Sequence, residues 1–329
     1  MTVKITKPAL NLREELADLR KPSGIAGEAL LRADSVQEQR DLIGAGRKNL
    51  FINGGFDVWQ RGTSSTNGGY STVDRFEVAN LTGTMSRSTS VPANKGFVYS
   101  IQYSGTSADC YFHQIIENSA PLRGRTATLS FWLNGDKTDL APLRGFVYDG
   151  TYHSINGSLP DLTLIETVGT WNRYAVTHTF ADGSYSPIIR MDFAENVAST
   201  IQTTGWQLEL GSVATDFEHR SYGEELALCQ RYYEVLVAGD EPVGTSSPWS
   251  SGGNYIPIRF AVEKRVSPTM SASGSVSIFE SGGTTLTRSN LQVGHISTRA
   301  CELYCTGGAS GGFVRGTSAS TSVIVDAEL

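Results

Sequence analysis

Charge is scarce in this sequence. Of its 329 residues only 18% are Asp, Glu, Lys or Arg, and 27 basic residues against 33 acidic ones leave a formal net charge of -6. No basic stripe is present, which argues against a partner whose affinity comes from neutralised phosphates, and so against nucleic acid. Long apolar runs are missing as well: no stretch of about eighteen or more apolar residues occurs, which argues against membrane insertion. The opening MTVKITKPALNLREELADLRK has neither the apolar core nor the small-residue cleavage site of a signal peptide, so a protein made and kept soluble in a cytoplasm is expected. Cysteine is sparse. Cys110, Cys229, Cys301 and Cys305 are too few for a disulfide framework in a chain of this size. A zinc site at Cys301 and Cys305 would need two more ligands with only His295 close by, so buried or half-buried thiols are expected.

Catalytic motifs are also missing. There is no His-Glu-x-x-His, no P-loop and no dinucleotide fingerprint, and the five histidines stand apart from one another. No period of the kind that builds a parallel β-helix is present. A carboxylate pair for glycan hydrolysis could always be drawn from 33 acidic residues, so its availability is not evidence, and a non-enzyme is expected. What is abundant is glycine, at 35 residues, together with dense Ser and Thr. That composition suits many short strands joined by polar turns.

The chain divides into three parts. Residues 1–47 contain no aromatic residue and are rich in Lys, Arg, Glu, Leu and Ala. Leu10, Leu12, Leu16 and Leu19 form a short apolar stripe, and VQEQRDLIG is a second helical piece stopped by Gly44. Helices of about ten residues are marginal alone, which makes Leu12, Leu16 and Leu19 candidates for contact with copies of the chain or with a partner. A flexible tail is the alternative.

Residues 48–222 carry strand patterns at regular intervals. Asn49 to Ile52 and Phe56 to Trp59 read as two strands around a Gly-Gly break. Others follow at 75–79, 85–88, 97–103, 111–116, 127–134, 143–148, 172–180, 188–193 and 205–210, separated by Asn-Gly and Asp-Gly turns. The fold class this implies is mainly β, an antiparallel β-sandwich of the jelly-roll type.

In residues 205–236 the hydrophobic period changes. Trp206, Leu208 and Leu210 alternate with Gln207 and Glu209 as in a strand. Beyond Ser221, Leu226, Cys229, Tyr233 and Leu236 recur at three- and four-residue spacing, as on one stripe of a helix capped by Ser221 or Gly223. That stripe is either a place for three copies to meet or a face packed on the sandwich. Residues 223–329 then continue from this helix into a second small β unit, whose Gly/Ser-rich segments GTSSPWSSGGN and CTGGASGGF read as loop tips.

Two resemblances rest on these residues. Gly24 to Ser35, continuing as VQEQRDLIGAG, resembles the helical linker of tailed-phage fibre proteins, and Ile5 to Leu19 is similar to the N-termini of structural proteins from phages of marine bacteria. The segments NGGF at 53–56, LSFWL at 129–133, GTWNRYAVT at 169–177 and QLELG at 207–211 resemble strands of carbohydrate-binding-module jelly rolls. The ending GSVATDFEHR followed by CQRYY looks like phage virion proteins of that type. The resemblance covers about the first 237 residues and implies a homotrimeric fibre or appendage of head or tail. Residues 1–47 would join it to other virion proteins, and the rest would bind a host-surface glycan or protein. By analogy with such modules a structural calcium would lie near Asn53 and Asp216, but the sequence has no tight oxygen-ligand cluster, and no cofactor is expected. A carbohydrate-binding module of a cellular protein and a glycan depolymerase are the competing readings.

Sugar binding needs an exposed ring for the C–H face of a pyranose and polar groups for its hydroxyls. Trp132 and Trp171 lie inside strands among apolar residues and read as core. Tyr148 and Tyr152, flanking Asp149-Gly150, and Trp249, in a Gly/Ser segment, are the glycan-contact candidates, with Trp59 a weaker one.

Overall fold

The computed structural model describes residues 48–105, 110–135, 144–148, 151–155, 162–192, 200–249, 252–280, 282–306, 311–317 and 321–328. The candidate contacts Leu12, Leu16 and Leu19 lie outside the described residues. Asn49–Leu329 form one compact unit.

The first twelve strands are β1 (Ser64–Ser65), β2 (Glu77–Ala79), β3 (Gly83–Ser88), β4 (Ser100–Gly105), β5 (Tyr111–Ile115), β6 (Thr126–Asn134), β7 (Arg144–Tyr148), β8 (Tyr152–Ile155), β9 (Thr163–Val168), β10 (Trp171–Thr179), β11 (Ile188–Asp192) and β12 (Thr200–Leu210). They form a seven-stranded sheet in the order β1-β3-β4-β12-β6-β10-β9 and a five-stranded sheet in the order β2-β5-β11-β7-β8. Every pairing within them is antiparallel. This is an antiparallel β-sandwich. Its core is aromatic: Trp206 is fully buried, with Phe112 edge-on at 4.7 Å and Phe131 stacked at 5.4 Å between ring centroids.

Both faces of the middle strands are covered. In β6, Ala127, Leu129, Phe131 and Leu133 enter the core, while Trp132 joins Phe97 and Trp171 in a second cluster. In β12, Gln207 and Glu209 do face away from the core, yet they are buried at 0% and 3% exposure because the chain after the strand folds back over them. Gln207 donates to the carbonyls of Thr215 and Asp216 and accepts from the Glu218 amide, while Glu209 accepts from the amide and hydroxyl of Thr215.

The expected strands at 49–52 and 56–59 are not formed. The segment instead docks irregularly: the Leu50 amide donates to the Leu208 carbonyl and the Trp206 amide to the Gly54 carbonyl. A bulge in β12 between Thr204 and Gln207 makes this possible. Gly205 sits in it at φ +65, with Phe97 2.5 Å from where a Cβ would be, so only glycine fits.

The helix α1 (Tyr222–Gln230) starts where expected, with the Ser221 hydroxyl accepting from the Glu224 amide at 3.3 Å and Glu224 and Glu225 in its first turn. It ends before the expected stripe does. Tyr233 and Leu236 belong to β13 (Tyr233–Ala238), because the aromatic and β-branched run YEVLVA pairs with a strand near the C-terminus. The proposed oligomer stripe of Leu226, Cys229, Tyr233 and Leu236 is therefore spent within the chain. Cys229 and Tyr233 are buried, Leu236 packs against two C-terminal core clusters, and only a half-buried Leu226 remains on the helix.

The chain continues through β14 (Pro242–Trp249), β15 (Gly253–Arg259), β16 (Thr269–Ser273), β17 (Val276–Glu280), β18 (Thr285–Arg288), β19 (Gln292–Gly294), β20 (Ala300–Thr306), β21 (Gly312–Gly316) and β22 (Ser322–Asp326). A three-stranded sheet β13-β22-β16 and a seven-stranded sheet β18-β17-β21-β14-β15-β20-β19 share a core of Val237, Ile256, Val276, Ile278, Leu303, Val314 and Val323. The expected loop tip at GTSSPWSS is mostly strand β14, because Thr245 and Ser246 pair with β21 and Ser247 to Trp249 pair with β15. Cys301 and Cys305 are both buried on β20, four residues or about 13 Å apart along a strand. His295 pairs with Glu302 instead of approaching them, at 2.8 Å.

Candidate functional site

The five-stranded sheet has one face in the core and one turned away. Val78, Phe112, Ile189 and Met191 supply the core face, so the period of two puts Glu77, Tyr111, His113 and Arg190 on the other. Cross-strand register then orders this outer face. Glu77 of β2 stands opposite His113 of β5, which stands opposite Arg190 of β11. In the next row Ile115, Ile188, Tyr148 and Tyr152 follow one another across β5, β11, β7 and β8.

The described side chains make a connected polar and aromatic patch. The Arg190 guanidinium lies over the Tyr111 ring at 3.4 Å from its centroid. The Tyr111 and His113 rings are 5.6 Å apart, and His113 Nε2 is 3.4 Å from a Glu77 carboxylate oxygen. His113 is 8% exposed, and its Nδ1 is buried without a hydrogen-bond partner. Burial, and secondarily the Arg190 charge, push its pKa down from 6.5 to about 4, so the ring is neutral near pH 7 and offers one donor and one acceptor. Burial, then Glu328, hold the Glu77 carboxyl above its ordinary range. The patch thus combines ring faces with a fixed cation and a carboxyl group around a buried imidazole, which suits a ligand carrying both C–H surface and hydroxyls.

Tyr148 and Tyr152 are brought together here as direct cross-strand partners, and Tyr148 is half-buried. The side chain of Tyr152, like that of Trp249, lies outside what the structure describes. Trp249 is not part of this patch; it ends β14 opposite Gly253 in the C-terminal unit. Trp132 and Trp171 are core, at 2% and 4% exposure. Trp59 packs partly buried on the core and donates to the Phe56 carbonyl at 2.6 Å, so it is no platform.

Sequence reasoning missed Glu77, Tyr111, His113 and Arg190. The alternation Tyr111-Phe112-His113 marks two residues of one face, but only the sheet order brings Arg190 beside them. Both ends of the Asn53 amide are used within the Asn53-to-Val58 turn and its neighbour, donating to the carbonyls of Val58 and Asp74 and accepting from the Val58 amide. No group of three His, Cys, Asp or Glu that could hold a metal occurs among the described residues.

No protein-family model matches the chain, and no curated protein matches it. Among solved structures, a bacteriophage CBA120 tailspike domain matches at 20% identity over 50% of this chain and 21% of its own, with a TM-score of 0.33. A family 61 carbohydrate-binding module in complex with β-1,4-galactotriose matches at 15% identity over 50% of this chain and all of its own, with a TM-score of 0.32. The tandem family 22 modules of Paenibacillus barcinonensis Xyn10C match at 10% identity over 87% of this chain and 99% of their own, also at 0.32. This chain spans only about a fifth of the tailspike chain it matches.

Proposed function

We propose that the protein binds glycan through the outer face of its five-stranded sheet and does no chemistry on it. The observation that carries this reading is the register itself, which lines up Tyr148 and Tyr152 on the sheet that also holds the Tyr111, His113, Arg190 and Glu77 patch. Tyr148 would offer its ring to a sugar face, and the half-buried Arg190 and Glu77 would exchange hydrogen bonds with hydroxyls, with buried His113 held between them. A glycan array with Tyr148→Ala and Arg190→Ala variants tests this. Loss of the bound spots in both is expected, and unchanged binding in both would remove this face from consideration.

The setting we infer is a virion appendage, a homotrimer attached through residues 1–47 to other virion proteins, in which many weak glycan contacts act together. The support is the resemblance of Gly24 to Ser35 and of the GSVATDFEHR ending to phage fibre proteins. Light scattering that found a monomer at micromolar concentration would count against it, as would antibody labelling that failed to locate the protein on purified particles.

A further inference from the structure

The C-terminal unit has a second surface that the sandwich face does not explain. On the seven-stranded sheet, Ile256, Val276, Ile278, Leu303 and Val314 point into the core, so the alternate residues Tyr255, Phe279, Tyr304 and Phe313 lie on the outer face. Register makes them two cross-strand pairs. Phe279 is opposite Phe313 with ring centroids 6.3 Å apart, and Tyr255 is opposite Tyr304 at 6.2 Å. The two phenylalanines are 40% and 43% exposed; among the described residues the other exposed large apolar side chains are Val98, Val213, Tyr222 and Val266, from separate segments, and the neighbours Leu164 and Ile165 on β9.

Between the pairs runs β14, which sets exposed Thr245 beside Phe313 and exposed Ser247 beside Tyr255. Strands lie about 4.8 Å apart, so in the order β17-β21-β14-β15-β20 the pair centres are three spacings, about 14 Å, apart across the sheet and two residues, about 7 Å, apart along it, or about 16 Å in all. Of the charges on this face, Arg315 pairs with Asp240 and Glu302 with His295 at 2.8 Å, while exposed Arg259 stands four residues along β15 from Tyr255, outside the stretch between the ring pairs. The surface therefore presents separated ring faces with hydroxyls between them and little unbalanced charge. Protein interfaces are also rich in Tyr and Phe but depleted in Ser, so the hydroxyls set between the ring pairs favour a glycan. Among the described residues, β14 places no basic side chain between the rings for an anionic ligand.

We propose that this face is a second glycan-binding platform, for a neutral polysaccharide chain whose successive sugar rings stack on Phe279/Phe313 and on Tyr255/Tyr304 and whose hydroxyls reach Thr245 and Ser247. It stands independently of the sandwich face.

Native gels cast with xylan, β-glucan or galactan, run beside sedimentation velocity, test the platform on the full chain. The native protein is expected to be retarded by at least one polysaccharide. Phe279→Ala/Phe313→Ala is expected to weaken that retardation about tenfold, as is Tyr255→Ala/Tyr304→Ala. The ring-keeping Phe279→Tyr/Phe313→Tyr variant is expected to retain it, which separates stacking from damage to the fold. Retardation by none of the three polysaccharides would overturn the proposal. So would a Phe279→Ala/Phe313→Ala variant that changes the sedimentation coefficient but not the retardation, since the face would then be a contact between copies. Retardation lost in Tyr148→Ala and Arg190→Ala but kept in both C-terminal double variants overturns this platform while sparing the sandwich site, and the reverse pattern does the opposite.

Discussion

Arg75 and Glu328, 253 positions apart, form a buried ion pair that ties the sandwich to the end of the chain. Their side chains are 1% and 6% exposed, and the Arg75 guanidinium also lies 3.5 Å from the centroid of the Tyr232 ring. Around them Arg61 reaches Glu328 at 3.0 Å and Asp326 at 3.1 Å, and Arg231 reaches Glu117 at 2.7 Å. The joint between sandwich and C-terminal unit is thus charged, dry at Arg61, Arg75 and Glu328 and open to solvent at Asp326, Glu117 and Arg231.

Breaking such a pair from one side leaves an uncompensated charge. Glu328→Gln strips the carboxylate from two guanidinium groups that have little access to water, and a loss of about 3–5 kcal/mol in urea unfolding is expected. Replacing both partners, as Arg75→Met/Glu328→Leu, is expected to cost much less than the sum of the single changes. A single-variant loss below about 1 kcal/mol would mean that water reaches the pair after all.

Glu209 organises the segment that covers β12. It accepts from the Thr215 amide at 2.8 Å, the Thr215 hydroxyl at 2.6 Å and the Gln207 side chain at 2.8 Å. Glu209→Ala leaves the Thr215 amide and hydroxyl without their acceptor, while Gln207 keeps the Thr215 and Asp216 carbonyls, and amide exchange at Thr215 and Glu218 is expected to speed up about tenfold while core strands are unaffected. Equal protection in the variant would show that Gln207 alone holds the segment.

His113 gives a pH signature with a definite sign. Its folded pKa of about 4 lies below the ordinary 6.5, so between those values the unfolded chain holds more protons and stability falls as the pH is lowered through that window. Burial raises Asp57 to about 6 and Asp74 to about 7, contributions of the opposite sign. The His113 contribution is therefore read as the difference between the native protein and His113→Gln. That difference is expected to shrink from pH 6.5 toward pH 4, with the imidazole NMR signals titrating near 4. Titration near 6.5 would contradict the burial.

Strands β5, β6, β10 and β11 are legible in the residues because alternation and β-rich composition act locally. The failures have physical reasons. The run from Asn49 to Trp59 alternates like two strands, but the β12 bulge at Gly205 and the Asn53 turn draw it into an irregular path. Tyr233 and Leu236 keep a helical spacing with Leu226 and Cys229, yet strand pairing with residues near 325 wins over helix extension. Of the sandwich patch, Tyr148 and Tyr152 could be chosen from their flanking turn, whereas Arg190 and Glu77 could not, because nothing near them in the chain marks their face.

The sequence by itself determined the mainly β class, the start of the helix at Ser221 or Gly223, the core role of Trp132 and Trp171, and the free, at least half-buried state of the thiols. These follow from period, capping chemistry and hydrophobicity, all of which act over a few residues. Only the tertiary structure decided that Glu77, His113 and Arg190 share one row, that Phe279 meets Phe313, and that Glu328 returns to Arg75. Those relationships depend on which strands pair and in what register, a choice made by the packing of whole sheets and by burial of charges far apart in the chain.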